Sequence, residues 1–260
     1  MARFVHKTII IPHDDKKFRG GEDAASTIDT MLVVADGVGG WANKGVNPGL
    51  YSRKLTETIT SKFAALSQED QDSLDVKKLV HEANHEAAAE HLGSATCTVV
   101  RLKNHTQLET LNVGDSTYSI HRRIPKDRTK EETRKAYMYA MDESELTVVY
   151  AAEPGQKGFN FPFQLGGQYG DQVHDPGAAD GPRYHELQDK DIIVVVSDGV
   201  NDNMDPDEYH ECINAYQWTN MYRNPTTAVF NVNYKGFFED NEIVSFSAVA
   251  DCIARKAYHL

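Results

Sequence analysis

The sequence predicts a single layered α/β domain, and two observations support this class. Short apolar runs rich in β-branched residues recur along the chain, and each ends in a Gly, Asp or Asn cluster, as strands do. Stretches with apolar residues at helical spacing lie between groups of these runs. The 260 residues contain no internal repeat and no linker rich in Gly, Ser or Pro, so we treat 1–260 as one domain.

Five apolar runs are predicted as strands. Each is short, contains several Val, Ile or Leu residues and stops at a turn-forming cluster. They cover residues 31–35, 96–102, 108–112, 146–150 and 192–196.

Four stretches are predicted as helices. In residues 50–66 and 75–91, apolar side chains recur at the spacing of one helical face. Residues 206–218 and 245–258 have the composition of two further helices. Paired strands with helices between the pairs are typical of a layered α/β arrangement.

Composition and charge exclude several classes of protein. Hydrophobic residues make up 40% of the chain and charged residues 25%, which is ordinary for a globular domain and argues against disorder. No apolar run approaches the roughly 18 residues that a membrane helix needs. The formal charge of −12 makes binding to nucleic acid or to an anionic membrane unfavourable.

The three cysteines predict neither a disulfide framework nor a thiolate zinc site. Cys97, Cys212 and Cys252 are odd in number, far apart and form no CxxC pair. We therefore expect an intracellular, reducing location, either the mitochondrial matrix or the cytoplasm, which the sequence does not separate.

A basic segment stands out in this acidic chain. Between residues 121 and 135, seven Lys or Arg face three Asp or Glu, a local charge of +4. We interpret residues 121–145 as a surface insertion, either a solvated loop or a flap that meets a phosphorylated partner.

The run His81-Glu82-Ala83-Asn84-His85 matches the HExxH pattern of zinc proteases. On a helical projection, however, both histidines fall opposite the apolar face of the predicted helix. His91 has the sequence spacing of a third ligand, but three alanines replace the glycine that would turn the helix back. A zinc metalloprotease is therefore a distant alternative.

Acidic residues placed where strands end form the stronger signal. Residues 31–35 lead directly into Asp36-Gly37, and residues 192–196 lead through Ser197 into Asp198-Gly199. Converging carboxylates repel one another unless a cation neutralises them. Oxygen ligands of this kind suit Mg²⁺ or Mn²⁺. Four strand boundaries carry such acids, at Glu22-Asp23, Asp36, Asp115 and Asp198 with Asp202.

Six motifs in order extend this pattern and are together highly specific. They are Gly21-Glu-Asp-Ala24, Ala35-Asp-Gly-Val-Gly-Gly-Trp41, Gly93-Ser-Ala-Thr96, Asn112-Val-Gly-Asp-Ser116, Phe161-Pro-Phe-Gln-Leu165 and Ser197-Asp-Gly-Val-Asn-Asp-Asn-Met204. This set resembles the metal-dependent protein serine/threonine phosphatases of type 2C, the PPM family. The resemblance is to the eukaryotic branch that includes mitochondrial members.

The resemblance implies a four-layer α-β-β-α sandwich of two antiparallel sheets with a two-metal centre at one edge. Whether this chain has the last strand of that sandwich is left open, and we favour its being missing. Asp36 is then the residue that bridges two Mg²⁺ or Mn²⁺ ions, the Gly37 carbonyl binds one ion and Asp198 binds the other. Asp23, with Glu22 beside it, acts through a water on the metal. Asp115 and Asp202 match positions around a weakly bound third ion.

Three positions depart from the family pattern. Val38 stands where many members carry a histidine that protonates the leaving group. Arg19, the candidate for phosphate binding, lies at a spacing that does not align cleanly. The family's last metal ligand has no clear counterpart, and either it is missing or Asp240 substitutes for it.

The expected function is hydrolysis of phosphoserine and phosphothreonine in proteins by a metal-activated water at a binuclear centre. Asp36 and Asp198 are the residues expected to carry the chemistry. The alternative is a phosphatase-like binding module with weak activity, suggested by Val38. We expect phosphorylated proteins as partners, no nucleic acid or membrane, and a monomer.

Overall fold

The computed structural model describes residues 3–125, 144–170, 172–222 and 238–259. Its strands form two antiparallel sheets and a small hairpin. The first sheet has the order β1-β2-β3-β4-β9, with strands Ala24–Ile28, Met31–Ala35, Cys97–Leu102, Gln107–Val113 and Ala179–Glu186. The second has the order β10-β5-β6, with strands Ile192–Val196, Thr117–Pro125 and Ser144–Ala151. The hairpin pairs β7 (Gln156–Gly158) with β8 (Phe161–Pro162).

Six α-helices are described. In the first half of the chain they are α1 (Pro48–Ala64), α2 (Gln68–Asp72) and α3 (Val76–Glu90). In the second half they are α4 (Asp198–Asn201), α5 (Tyr209–Tyr222) and α6 (Phe238–His259). Three 3-10 helices cover Asp14–Arg19, Gly39–Lys44 and Pro206–Glu208.

Three apolar clusters define four layers. The largest lies between the first sheet and helices α1 and α3, where Val33 meets Leu55 and Val80. A second cluster joins the facing sides of the sheets, with Val100 and Leu108 from one and Tyr118 and Ile120 from the other. The third lies between the second sheet and helices α5 and α6. The α-β-β-α sandwich expected from the resemblance is confirmed.

Local sequence explains the first-sheet elements that border the functional edge. Strand β2 alternates, with Met31, Val33 and Ala35 buried and the residues between them partly buried. Helix α1 begins where the Asn47 side chain accepts a hydrogen bond from the Gly49 amide at 3.1 Å, with Pro48 in the first turn. The predicted helix at 50–66 therefore begins two residues early, and its apolar face lies against β1 and β2.

All five predicted strands are present, with bounds that shift by at most two residues. Strands β1, β5 and β9 of the two sheets, and both short strands of the β7–β8 hairpin, were not predicted. Strand β5 alternates Ser, His and Arg with apolar residues, and β9 is exposed over much of its length, so neither gives a continuous apolar run.

Two expectations from the sequence are wrong. Cys212 of α5 and Cys252 of α6 form a disulfide, because the packing of these two helices brings together residues 40 positions apart in sequence. The basic insertion does not begin at residue 121, because residues 121–125 complete strand β5 and Arg122 pairs with Asp191. Residues 126–143 lie outside the described residues. The helix predicted at 245–258 is α6; it contains Asp240, whose side chain also lies outside the described residues.

Candidate metal centre

Strand register brings the acidic strand ends to one edge of the sandwich. In the first sheet Ala24 pairs with Ala35, so Asp23 and Asp36 are the next residues past the same end of β1 and β2. In the second sheet Val196 pairs with Thr117, so Asp198 and Asp115 lie two residues beyond that pair. Both sheets therefore position carboxylates at the same edge of the sandwich.

A short polar bridge holds the two strand ends together. The Asp36 amide donates a hydrogen bond to Thr96 Oγ1 at 3.0 Å, and Thr96 Oγ1 lies 2.7 Å from Ser116 Oγ. Thr96 comes just before β3 of the first sheet, and Ser116 just before β5 of the second. The bridge thus links the backbone of Asp36 to the turn that carries Asp115.

Three of the aspartate side chains lie close together. The carboxyl groups of Asp23 and Asp198 both lie within electrostatic reach of the Asp36 carboxyl. Burial, followed by the charges of Asp23 and Asp198, raises the pKa of Asp36 well above its ordinary value. Burial likewise raises the pKa of Asp23. The cluster is therefore a set of mutually repelling carboxyl groups, and Lys16 offsets only part of that repulsion at Asp23.

Asp115 and Asp202 extend the cluster on the second sheet. Desolvation, and then the charge of Asp198, raises the pKa of the exposed Asp202. Asp115 is 3% exposed, and burial raises its pKa while a hydrogen bond from Gln156 Nε2 at 2.9 Å opposes that rise. Gln156 was not singled out from the sequence, since only the hairpin brings it there.

The donor set fits a hard divalent cation. Asp115 Oδ1 is buried and has no hydrogen-bond partner among the described residues, so one carboxylate oxygen is available to a ligand. Within the same residues, no three His, Cys, Asp or Glu side chains already surround a common ion position. A bound divalent cation would reduce the mutual repulsion of Asp23, Asp36 and Asp198.

Gly37 is required by the close approach of the backbone beside Asp36. A Cβ atom at this position would lie 2.7 Å from both the Glu22 carbonyl oxygen and Ser52 Oγ. The Gly37 amide donates to the Glu22 carbonyl at 3.2 Å, which ties the Asp-Gly turn to the Glu-Asp turn. Val38 follows, and its amide donates to the Ser94 carbonyl at 3.0 Å, while its side chain has no proton to give.

Two cations neutralise Glu22, which is 4% exposed. Arg19 Nη2 lies 2.6 Å from one carboxylate oxygen, and Lys16 Nζ contacts the other. Arg19 therefore lies beside the cluster and is engaged by Glu22, and its buried Nε has no hydrogen-bond partner in the described part of the chain. Lys16 was missed. A 3-10 helix has three residues per turn, so Lys16 and Arg19 share one face, which the sequence does not reveal without knowing the helix type.

The HExxH motif does not form a protease site. Glu82 pairs with Lys62, at 3.6 Å, instead of facing a metal position. His85 is exposed as predicted, but His81 is partly covered, with its ring 5.2 Å from that of His174. Helix α3 ends at Glu90, and His91 is extended, so the continuous helix expected through His91 stops one residue short.

No helix in the described parts of the chain combines the length and apolar character that a membrane crossing requires.

Comparisons with known proteins point to one family. No family model matches the chain. It is 33% identical over 204 residues to the probable protein phosphatase 2C 80 of Arabidopsis thaliana, covering 78% of this chain and 42% of that protein. The chain spans roughly a third to a half of the length of the curated relatives it matches.

Two solved structures share the fold. The photosystem II phosphatase PBCP superposes with a TM-score of 0.64 at 25% identity, covering 95% of this chain and 76% of that one. The catalytic domain of the serine/threonine phosphatase PstP, solved with two manganese ions, gives a TM-score of 0.54 at 13% identity and covers 92% and 85%.

Proposed function

The chain belongs to the protein phosphatase 2C family, and from that premise we propose that it hydrolyses phosphoserine and phosphothreonine in proteins with Mg²⁺ or Mn²⁺. The observation that carries the proposal is the strand register that brings Asp23, Asp36 and Asp198 to one edge of the sandwich, where Asp23 and Asp198 act electrostatically on Asp36. Mutually repelling carboxylates with an available oxygen at Asp115 are suited to divalent cations.

We assign the ligands as follows. Asp36, which Asp23 and Asp198 both approach, would serve two ions, with Asp198 and the Gly37 carbonyl each holding one of them. Asp23 would act through water, and Asp115 with Asp202 would hold a third, weaker ion. When bound, the cations neutralise phosphoryl charge and acidify the attacking water.

Cationic side chains of this chain bind the phosphoryl group. Arg19 is the proposed contact, because its guanidinium lies beside the cluster and retains an unused Nε proton. Lys16 supplies a second positive charge, and its ammonium lowers the electrostatic cost of the Asp23 carboxylate. Glu22 holds both side chains in place.

The test is phosphate release from a phosphothreonine peptide by the purified chain. We expect turnover with Mn²⁺, none with excess EDTA, and full recovery when Mn²⁺ is restored. Equal activity in EDTA would contradict a metal-dependent reaction.

Val38 motivates a second candidate, a phosphatase-like module that binds phosphoproteins without appreciable turnover. It lacks a proton for the leaving alkoxide, so protonation there must come from water or another group. The same assay separates the two: phosphopeptide binding at saturating Mn²⁺ with turnover at background would favour the module.

The proposed partners are phosphoproteins. We propose that the chain acts on them as a monomer. An intracellular location, in the mitochondrial matrix or the cytoplasm, stays a prediction.

A further inference from the structure

The β7–β8 hairpin carries two unusually exposed aromatic side chains. Phe159, in the two-residue turn, is 98% exposed, and Phe161, the first residue of β8, is 54% exposed. A single exposed apolar side chain is common on protein surfaces. Two phenylalanines on one tight turn form a small apolar projection, and such features are typical of contact sites.

The hairpin is anchored to the metal centre rather than hanging freely from the fold. At its base, the Gly155 amide donates to the Gly114 carbonyl at 2.9 Å, next to Asp115. Gln156 Nε2 donates to Asp115 Oδ2 at 2.9 Å. Beyond β8, Leu165 and Ala95 exchange two backbone hydrogen bonds of 2.8 and 3.0 Å. The distance of the tip from the carboxylates is therefore set by the fold.

Chain geometry gives the reach of the tip. Phe159 is three residues beyond Gln156, and at about 3.3 Å per extended residue its backbone lies roughly 10 Å from the residue that contacts Asp115. An extended peptide whose phosphorylated side chain enters the centre covers the same distance in two or three residues.

We propose that Phe159 and Phe161 bind an apolar side chain of the phosphoprotein located two or three residues from the phosphorylated Ser or Thr. The inference rests on the proposed function and narrows its substrate class. The hairpin would then select extended segments in which a large aliphatic or aromatic residue lies near the phosphorylated residue. The metal centre would bind only the phosphoryl group.

The experiment uses the wild-type chain with Mn²⁺ and three kinds of substrate. Four phosphothreonine peptides each carry one Leu, two or three residues before or after the phosphothreonine. A reference peptide has Asn at all four positions. Hydrolysis of p-nitrophenyl phosphate, which has no peptide residues to contact the hairpin, measures the activity of the metal centre by itself. The variants are Phe159→Ser, whose side chain contributes nothing to the core, and the matched control Val149→Ser, an exposed residue of β6.

We expect kcat/KM for at least one Leu peptide to exceed that of the reference peptide about tenfold, mainly through a lower KM. Burial of a Leu side chain stabilises a complex by enough free energy to account for a tenfold change. Phe159→Ser should remove this preference and leave p-nitrophenyl phosphate hydrolysis unchanged, and Val149→Ser should change neither. Equal rates on all five peptides, with p-nitrophenyl phosphate still hydrolysed, would overturn this inference alone. Absence of hydrolysis of every substrate would overturn the proposed function and this inference with it. If Phe159→Ser left the preference for a Leu peptide unchanged and altered the oligomeric state instead, the inference would be overturned. The hairpin tip would then be a contact between copies of the chain.

Discussion

Gly37 shows at the residue scale how tightly the backbone is packed beside the carboxylates. Its neighbour Asp36 needs the turn that brings the Glu22 carbonyl and Ser52 close, and these atoms leave no room for a side chain. We expect Gly37→Ala to lower the free energy of unfolding by about 1–3 kcal/mol, because the added methyl forces the two turns apart. Urea denaturation with the metal removed measures this effect separately from ion binding.

Gly40 provides the matched control, since it belongs to the same loop and an added Cβ would meet nothing within 4 Å. Gly40→Ala should therefore leave the free energy of unfolding within about 0.5 kcal/mol of the wild type. Equal stability of the two variants would show that the close approach at Gly37 is not a constraint on the fold.

The aspartates could be located from the sequence, because each follows an apolar run or belongs to a family motif. What could not be read is their register. The pairing of Ala24 with Ala35 brings Asp23 to Asp36, and strand β1 was not predicted at all. Lys16 and Gln156 were missed for a similar reason: each reaches the centre through a local turn whose geometry no residue pattern specifies.

At the scale of elements, a buried polar chain joins β5 to α5. His121 is fully buried, with Nε2 2.8 Å from Ser119 Oγ and Nδ1 3.0 Å from His210 Nε2. The Tyr209 ring lies against it, and the Asp207 carboxylate is 4.0 Å from His210 Nδ1. Burial, and then the proximity of His210, lowers the pKa of His121 to about 4, while Asp207 opposes the shift.

This contact predicts an acid-sensitive junction. The folded pKa lies below the ordinary value of 6.5, so below pH 6.5 the unfolded chain binds a proton that the folded chain does not. The stabilisation is complete above pH 6.5 and is lost as the pH falls toward 4, by roughly 3 kcal/mol at most. The measurement is the slope of the unfolding free energy against pH in that window.

His121→Gln should flatten this slope whatever its effect on absolute stability, because Gln does not titrate. His105→Gln, at an exposed turn, is the control and should keep the wild-type slope. An unchanged slope in His121→Gln would assign the acid sensitivity to other groups.

Element prediction succeeded where a single face or a whole strand is apolar, as in α3 and β10. Element prediction failed where buried polar side chains interact with polar partners elsewhere in the chain. Strand β5 contains His121 and Arg122, whose partners His210 and Asp191 are about 70 to 90 residues away in sequence and invisible to any local pattern. The Cys212–Cys252 disulfide has the same origin, since it depends on how two helices pack.

Across the whole molecule, the proposed metal centre depends on the stacking of both sheets. Asp23 and Asp36 come from the first sheet, and Asp115, Asp198 and Asp202 from the second. Five of the 39 acidic residues in this chain of net charge −12 thus converge on one edge instead of dispersing over the surface. The sequence predicts a cation site from these residues, and the electrostatic interaction of Asp36 with Asp23 and Asp198 supports that prediction.

The most direct test of this account is the rate of phosphate release from a phosphothreonine peptide at saturating Mn²⁺ by the wild type, Asp36→Asn and Asp29→Asn. Asp29 is exposed and lies at the opposite end of the β1–β2 hairpin. Asp29→Asn is therefore the same substitution at a position away from the carboxylate cluster. We predict that Asp36→Asn lowers kcat at least about a hundredfold, because it removes the carboxylate proposed to serve both ions, while Asp29→Asn keeps the wild-type rate. Wild-type turnover by a folded Asp36→Asn variant would contradict the claim that these carboxylates form a catalytic metal centre.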